Sequence, residues 1–275
     1  MWTLTGFADE ISPDLLVQLD TLERESIQYL EFRGVWNKNV LDLTDAEIDT
    51  VKATLAQRGV KVSSIGSPIG KIQITDDFAP HQAAFRRALH VARTLDAPYI
   101  RMFSFFIPDG EAPERYREQV LDRLGQLVRL AEEANVTLLH ENEKHIYGDI
   151  PQRCYDLLAQ INSPILRAAW DPANFVQCGV RPYTEGFALL RPFIAYVHVK
   201  DARQTSGQVV PAGQGDGEWP PTIAALQATQ FDGFFSLEPH LQVAGPSSGF
   251  TGPALFEVAA TALKGLLRDQ GIQWR

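Results

Sequence analysis

The feature that most constrains this chain is a short apolar run followed by an amphipathic stretch, repeated along its whole length. Eight such runs, at residues 4–7, 29–32, 60–65, 99–103, 136–139, 166–170, 194–199 and 234–237, read as strands. Helical spacing fills the gaps. Leu15, Leu16, Leu19 and Leu22 share one face, with Ser12 as N-cap and Pro13 as the first helical residue. Thr44 and Glu47 form a Thr-x-x-Glu capping box ahead of a helix that Gly59 stops. Further helices are expected over 81–95, 113–134, 150–161, around 187–190, over 223–228 and over 254–267. Eight strands alternating with helices argue for an α/β fold closed as a (β/α)8 TIM barrel, with an open doubly wound sheet as the competitor.

No linker or charge block divides the 275 residues, so a single domain over 1–275 is expected. The longest stretches without periodicity, 66–78 and 202–221, read as lids or binding loops. Gly213, Gly215 and Gly217 follow no strand directly and open no helix; they read as a flexible loop, not a dinucleotide fingerprint. Lys plus Arg total 25 against 34 Asp plus Glu, a net charge of -9 that disfavours nucleic acid as a partner. Cys154 and Cys178 lack CxxC spacing, which fits free thiols and a reducing compartment. The opening MWTLTGFADEIS is unlike a secretory leader, and no apolar run reaches the length of a membrane span. Cytoplasmic localisation is expected. Oligomeric state is not legible here, although homo-oligomers are common among soluble enzymes.

In a barrel the chemistry sits where strands end. The fifth run ends His140-Glu141-Asn142, the sixth Trp170-Asp171-Pro172-Ala173-Asn174, the seventh His198-Val199-Lys200-Asp201, and the eighth Glu238-Pro239-His240. Alternate residues of a strand share a face, so Glu141, Asp171, His198 and Glu238 can converge above the barrel axis. Taken singly, each has a plain reading: a cap, a salt-bridge partner or a hydrogen-bonded core histidine. Together they form an oxygen-and-nitrogen set suited to one divalent metal ion, Mn, Mg, Co or Zn. Three carboxylates buried together also need a cation. His140 and Asn142 are expected to face elsewhere or to support the ligands. His81 and His90 fall in a helix and read as packing or surface groups. Trp36, just after the second strand, is a pocket-wall candidate, and Phe103, Phe105 and Phe106 belong either to a pocket wall or to the core.

On these residues the chain resembles the xylose-isomerase-like barrels, in particular the sugar phosphate isomerase/epimerase group with its tagatose 3-epimerase-like and inosose-type enzymes. The resemblance runs from GFADEIS to EPH and beyond, and HEN, WDPAN, HVKD and EPH occur in the family's order. It implies that Glu141, Asp171, His198 and Glu238 hold the metal, with Glu141 and Glu238 also the two acid/base groups. It implies substrate contacts at Arg203 and around His145 and Glu143. Many relatives carry a histidine three residues after the metal aspartate; here that position is Asn174, a neutral amide, so sugar specificity does not transfer directly. Lys71, Arg203 and the 213–217 loop are candidates for holding a phosphate.

The implied reaction is isomerisation or epimerisation of a ketose, inosose or related sugar through an enediolate. The same groups suit a metal-dependent dehydratase or lyase acting on a polyol. A non-catalytic sugar-binding barrel and an apurinic-site endonuclease are the other readings; the endonuclease fits poorly with six histidines and a negative net charge. The expected partner is a small-molecule sugar or polyol, with neither nucleic acid nor membrane.

Overall fold

A computed structural model describes residues 1–244 and 249–275. Among them, eight parallel strands form one sheet: β1 Thr3–Gly6, β2 Tyr29–Phe32, β3 Lys61–Gly66, β4 Tyr99–Met102, β5 Thr137–Glu141, β6 Leu166–Trp170, β7 Ile194–Val199 and β8 Phe234–Leu237. The order β1-β8-β7-β6-β5-β4-β3-β2 is that of a barrel, and a parallel bridge from Phe7 to Glu31 brings its two edges together. This is the TIM barrel fold, and the open sheet is excluded.

The helices α1 Leu15–Arg24, α2 Asp45–Arg58, α3 Phe78–Thr94, α4 Arg117–Ala134, α5 Pro151–Ile161, α6 Pro172–Gln177, α7 Trp219–Ala228 and α8 Gly252–Asp269 lie in the connections and after the last strand. Their apolar stripes, such as Val120, Leu124, Leu127, Val128 and Ala131 of α4, are buried. The capping box of Thr44 and Glu47 forms as expected, and Gly59 closes α2 at φ 65°. The start of α1 differs. Asp14 caps it, its carboxylate accepting from the N–H groups of Leu16 and Val17, while the Ser12 hydroxyl is taken by Asp14 N–H. A carboxylate that reaches two amides outcompetes the hydroxyl two residues earlier.

The barrel interior is layered because every second residue of a strand points inward. At the bottom, Tyr29, Tyr99, Tyr196 and Phe234 pack their rings together. Above them lies a polar layer. The Thr5 and Ser63 hydroxyls are 2.8 Å apart, Ser63 is 2.9 Å from the Tyr196 hydroxyl, and Ser236 donates to Glu31 at 2.6 Å. The next inward positions, two residues further along their strands, form the top layer.

The two long loops are anchored. Residues 69–74 run beside 103–106, with backbone bonds from Phe103, Phe105 and Phe106 to Ile69, Gly70 and Ile72 and from Ile74 back to Phe106. The glycines at 213–217 differ from the expected flexible loop: they wrap a single carboxylate. Asp201 Oδ1 accepts from Ala202 and Gly217 N–H, and Oδ2 from Gly213 and Gly215 N–H, all between 2.8 and 3.0 Å. A Cβ at Gly215 would lie 2.5 Å from Asp201 Oδ1 and from the Ala202 carbonyl oxygen, which explains the residue type.

Candidate metal centre

The period of two delivers the site. Leu139 is followed inward by Glu141, Ala169 by Asp171, Tyr196 by His198 and Ser236 by Glu238. Each of the four polar residues offers one ligand atom within 4.8 Å of the others', and none is more than 2 % exposed. Strand ends thus place three carboxylates and an imidazole at one point over the barrel axis.

Each carboxylate has one oxygen tied back and one turned inward. Arg101 Nη1 holds Glu141 Oε2 at 3.1 Å, Arg33 Nη1 holds Glu238 Oε1 at 3.2 Å, and Asn174 N–H holds Asp171 Oδ1 at 2.9 Å. The other oxygens face the cluster. His198 Nδ1 lies 3.2 Å from Glu141 Oε1 and 3.6 Å from Glu238 Oε2. Among the described residues, His198 Nδ1 has no hydrogen-bond partner and Asp171 Oδ2 meets only an ammonium. A buried ring nitrogen left in this way is unusual, and set beside inward carboxylate oxygens it fits a divalent cation. His198 Nε2 points the other way, 3.3 Å from Glu31 Oε2 in the layer below. A carboxylate behind the ring is the usual support of a metal-binding histidine.

The chain's own cations also reach the cluster. Lys200 Nζ lies 2.9 Å from Asp171 Oδ2 and 3.0 Å from Glu238 Oε2, and Arg101 Nη1 lies 3.5 Å from Glu238 Oε1. The need of three carboxylates for a cation is therefore met in part internally, and the case for a metal rests on the inward atoms, not on charge alone. Burial works to raise both glutamates, but it is overcome at Glu141 by His198 and Arg101, which hold it at about 2, and at Glu238 by Lys200, His240 and His198. At Asp171 burial wins over Lys200 and lifts the carboxyl to about 6. Burial disfavours the His198 cation, yet Glu141 and Glu31 raise its pKa well above the usual imidazole value.

Around the cluster, Phe7 packs against His198 and beneath the guanidinium groups of Arg33 and Arg101, at 4.5 and 5.0 Å. A Cβ at Gly66 would lie 2.7 Å from the Phe7 ring, so only glycine leaves it room. Glu10, from the segment after β1, pairs with His240 Nε2 at 3.1 Å, and His240 Nε2 lies 3.5 Å from Glu238 Oε1. Asn142 bonds the backbone of Asp171 in both directions and so supports a ligand, whereas His140 faces elsewhere, 3.0 Å from the Ser104 hydroxyl.

The candidate substrate residues divide. Asn174 Nδ2 donates to Glu141 Oε1 at 3.2 Å, and Lys71 lies 3.4 Å from Glu143 and over the Phe103 ring at 4.3 Å, facing the cluster's rim. Phe105 instead packs against Phe78 and His81. Arg203 and His145 are exposed; the Arg203 backbone closes a turn, and the His145 carbonyl accepts the Ile107 N–H. Trp36 is 37 % exposed in the turn of a hairpin linking Gly34–Val35 to Lys38–Asn39. The structure does not join these three to the cluster. The sequence reading passed over Arg33, Glu10, Glu31 and Lys200 as functional residues. Their signal was the period of two: Arg33 and Lys200 lie one inward step beyond Glu31 and His198.

A family model described as the xylose isomerase-like TIM barrel matches residues 19–265. No curated protein sequence matches significantly. Among solved structures, a D-tagatose 3-epimerase-like protein superposes with a TM-score of 0.77 at 15% identity, covering 98% of each chain. The probable 3-DHS dehydratase AsbF of Bacillus anthracis gives 0.75 at 17%, covering 96% of this chain and 98% of its own. The IOLI protein with a bound zinc atom gives 0.74 at 16%, covering 97% of each. At these identities the likeness is one of fold.

Proposed function

The chain belongs to the xylose isomerase-like TIM barrel family, and on that premise we propose a divalent-metal-dependent isomerase or epimerase of a ketose, inosose or related sugar. One observation carries the reading: the inward atoms of Glu141, Asp171, His198 and Glu238 face a common point while the outward oxygens are tied down. In this reading the chain works as one domain over 1–275, and its partner is a small sugar or polyol. Among the described residues no helix is long and apolar enough to cross a membrane.

The four residues would hold the ion, which when bound supplies a charge that lowers the cost of an oxyanion beside the reacting carbon. Glu141 takes the proton from the carbon next to the carbonyl, and the C–H electron pair moves into the enediolate. Glu238 returns a proton on the opposite face, which inverts that carbon; return to the neighbouring carbon on the same face isomerises the sugar. The two glutamates are interchangeable in this scheme. Arg101 and Arg33 fix the two carboxylates; Glu141 enters the step ionised and Glu238 protonated, each ends in the other's state, and exchange with solvent resets the pair. Burial of the cluster excludes water, which strengthens each of these interactions. Asn174 steadies Glu141, and Lys71 is the rim residue best placed to meet a substrate hydroxyl.

A dehydratase is the second reading, favoured by the ammonium of Lys200 beside Glu238, where it can protonate a departing hydroxyl. One experiment addresses both. Metal-stripped and Mn²⁺-restored protein is given a panel of ketoses, inososes and polyols in D₂O, and NMR and mass spectrometry follow carbon-bound deuterium and product mass. Metal-dependent deuterium incorporation without mass loss supports the isomerase; loss of water supports the dehydratase. Near-normal turnover in either Glu141→Gln or Glu238→Gln sinks the acid/base assignment.

A further inference from the structure

We propose that Lys200 is a positioning residue: its ammonium is the site's internal cation, holding Asp171 and Glu238 together in the metal-free protein and competing with a divalent ion for them. The inference rests on the metal-holding reading above and concerns what that reading leaves open, namely how the site is assembled before metal arrives.

Lys200 lies two residues past His198, so the alternation of β7 carries its side chain inward as well, and it is 4 % exposed. Arg33, Arg101 and Lys200, three of the cations near the cluster, divide by which oxygen they hold. Arg33 and Arg101 take the outward oxygens, Glu238 Oε1 and Glu141 Oε2. Lys200 Nζ takes inward ones, Asp171 Oδ2 at 2.9 Å and Glu238 Oε2 at 3.0 Å. Asp171 Oδ1 is already bound to Asn174 N–H, and Glu238 Oε1 to Arg33, so these carboxylates turn the same oxygens to Lys200 as to the centre of the cluster. The two arginines orient ligands. Lys200 occupies them.

A compact ammonium suits this task, since it is a point charge with three rotatable donors, whereas a guanidinium demands a planar, paired acceptor. Without it, the inward oxygens of Asp171 and Glu238 would lie buried with no ammonium between them, a costly arrangement. A divalent cation at the same oxygens would lie at contact range of the ammonium, and the like charges repel strongly in a dry site. The site is thus preassembled by an exchangeable partner, and the chain folds without metal at the expense of some metal affinity.

The test is calorimetric titration of Mn²⁺ and of Zn²⁺, separately, into metal-stripped wild type, Lys200→Met and Lys200→Arg, with thermal unfolding of each protein with and without metal. Removal of one unit charge from the ligand oxygens is expected to tighten binding in Lys200→Met by about tenfold or more. Its metal-free form should melt lower than the metal-free wild type, with most of the deficit restored by metal. Lys200→Arg keeps the charge and should bind no more than about threefold tighter than wild type. Should the methionine variant not fold, Lys200→Gln takes its place with the same two readings. Wild type that binds no metal overturns the reading of the centre itself. Wild type that binds, with Lys200→Met equal or weaker, or with Lys200→Arg tightened as much as Lys200→Met, overturns the role of Lys200 alone.

Discussion

Replacing Asp201 with asparagine is expected to release the 213–217 loop, and the cost can be counted from its bonds. The carboxylate accepts four backbone N–H groups, two on each oxygen. Asparagine keeps one acceptor oxygen and presents an amino group in place of the other. Whichever way the amide turns, two N–H donors face another donor. The bond to Gly217 is buried, so the oxygen is expected to stay with Ala202 and Gly217, leaving Gly213 and Gly215 unmatched. Each unmatched buried donor costs about 1–3 kcal/mol, so about 2–6 kcal/mol is lost for the pair. Those two bonds are only part-buried, so water can enter and the lower end applies. About 2 kcal/mol corresponds to a roughly 30-fold change in the opening equilibrium. Hydrogen exchange at the Gly213 and Gly215 amides reads this directly, and urea unfolding reads whether the loss is local or global. Exchange within about twofold of wild type with an unchanged urea midpoint would mean that the carboxylate is not the loop's anchor, and the argument from these bonds would fail.

Three further outcomes are expected. Thr44→Ala removes the side-chain half of the capping box of α2 and should lower stability by about 1 kcal/mol in a denaturant titration; an unchanged midpoint contradicts the cap. Gly148→Ala would set a Cβ 2.4 Å from His140 Cε1 and 2.9 Å from the Ser104 hydroxyl, and is expected to cost about 1–3 kcal/mol, visible as a lower melting temperature. His81 accepts the Gly70 N–H through Nε2 at 2.7 Å, and burial, aided by Arg123, pulls its pKa down to about 4. Because the folded value lies below the unfolded value of about 6.5, its contribution is full above that pH and is lost as pH falls from there toward about 4. Unfolding measured across that window should steepen in wild type relative to His81→Gln, and parallel curves would rule the histidine out.

Much of this molecule was legible in the sequence because barrels impose periodicity. Four strands, at residues 29–32, 166–170, 194–199 and 234–237, begin and end where the apolar runs do. The other four shift by one or two residues, since strand ends are set by pairing with neighbours that lie far away in sequence. Glu141, Asp171, His198 and Glu238 are legible together for the same reason: each lies at or just past the end of an apolar run, and the period of two sends each to one face. What these residues do was not in the pattern.

Tertiary structure alone decided which charges meet. Glu31 reads as an ordinary strand-end acid, yet the barrel carries it beneath His198. Arg33 is 205 positions from Glu238 and holds one of its oxygens at 3.2 Å. Lys200, two residues past His198, is inward because alternation continues one residue beyond β7. The three glycines of 213–217 suggested freedom, and the fold instead gathers their amides onto Asp201. Conversely Arg203, His145 and Trp36 carry plausible chemistry and stand outside the cluster. A sequence fixes the chemical character and the local direction of a side chain; closure of the barrel fixes the distances, and interactions between buried charges depend on distance above all.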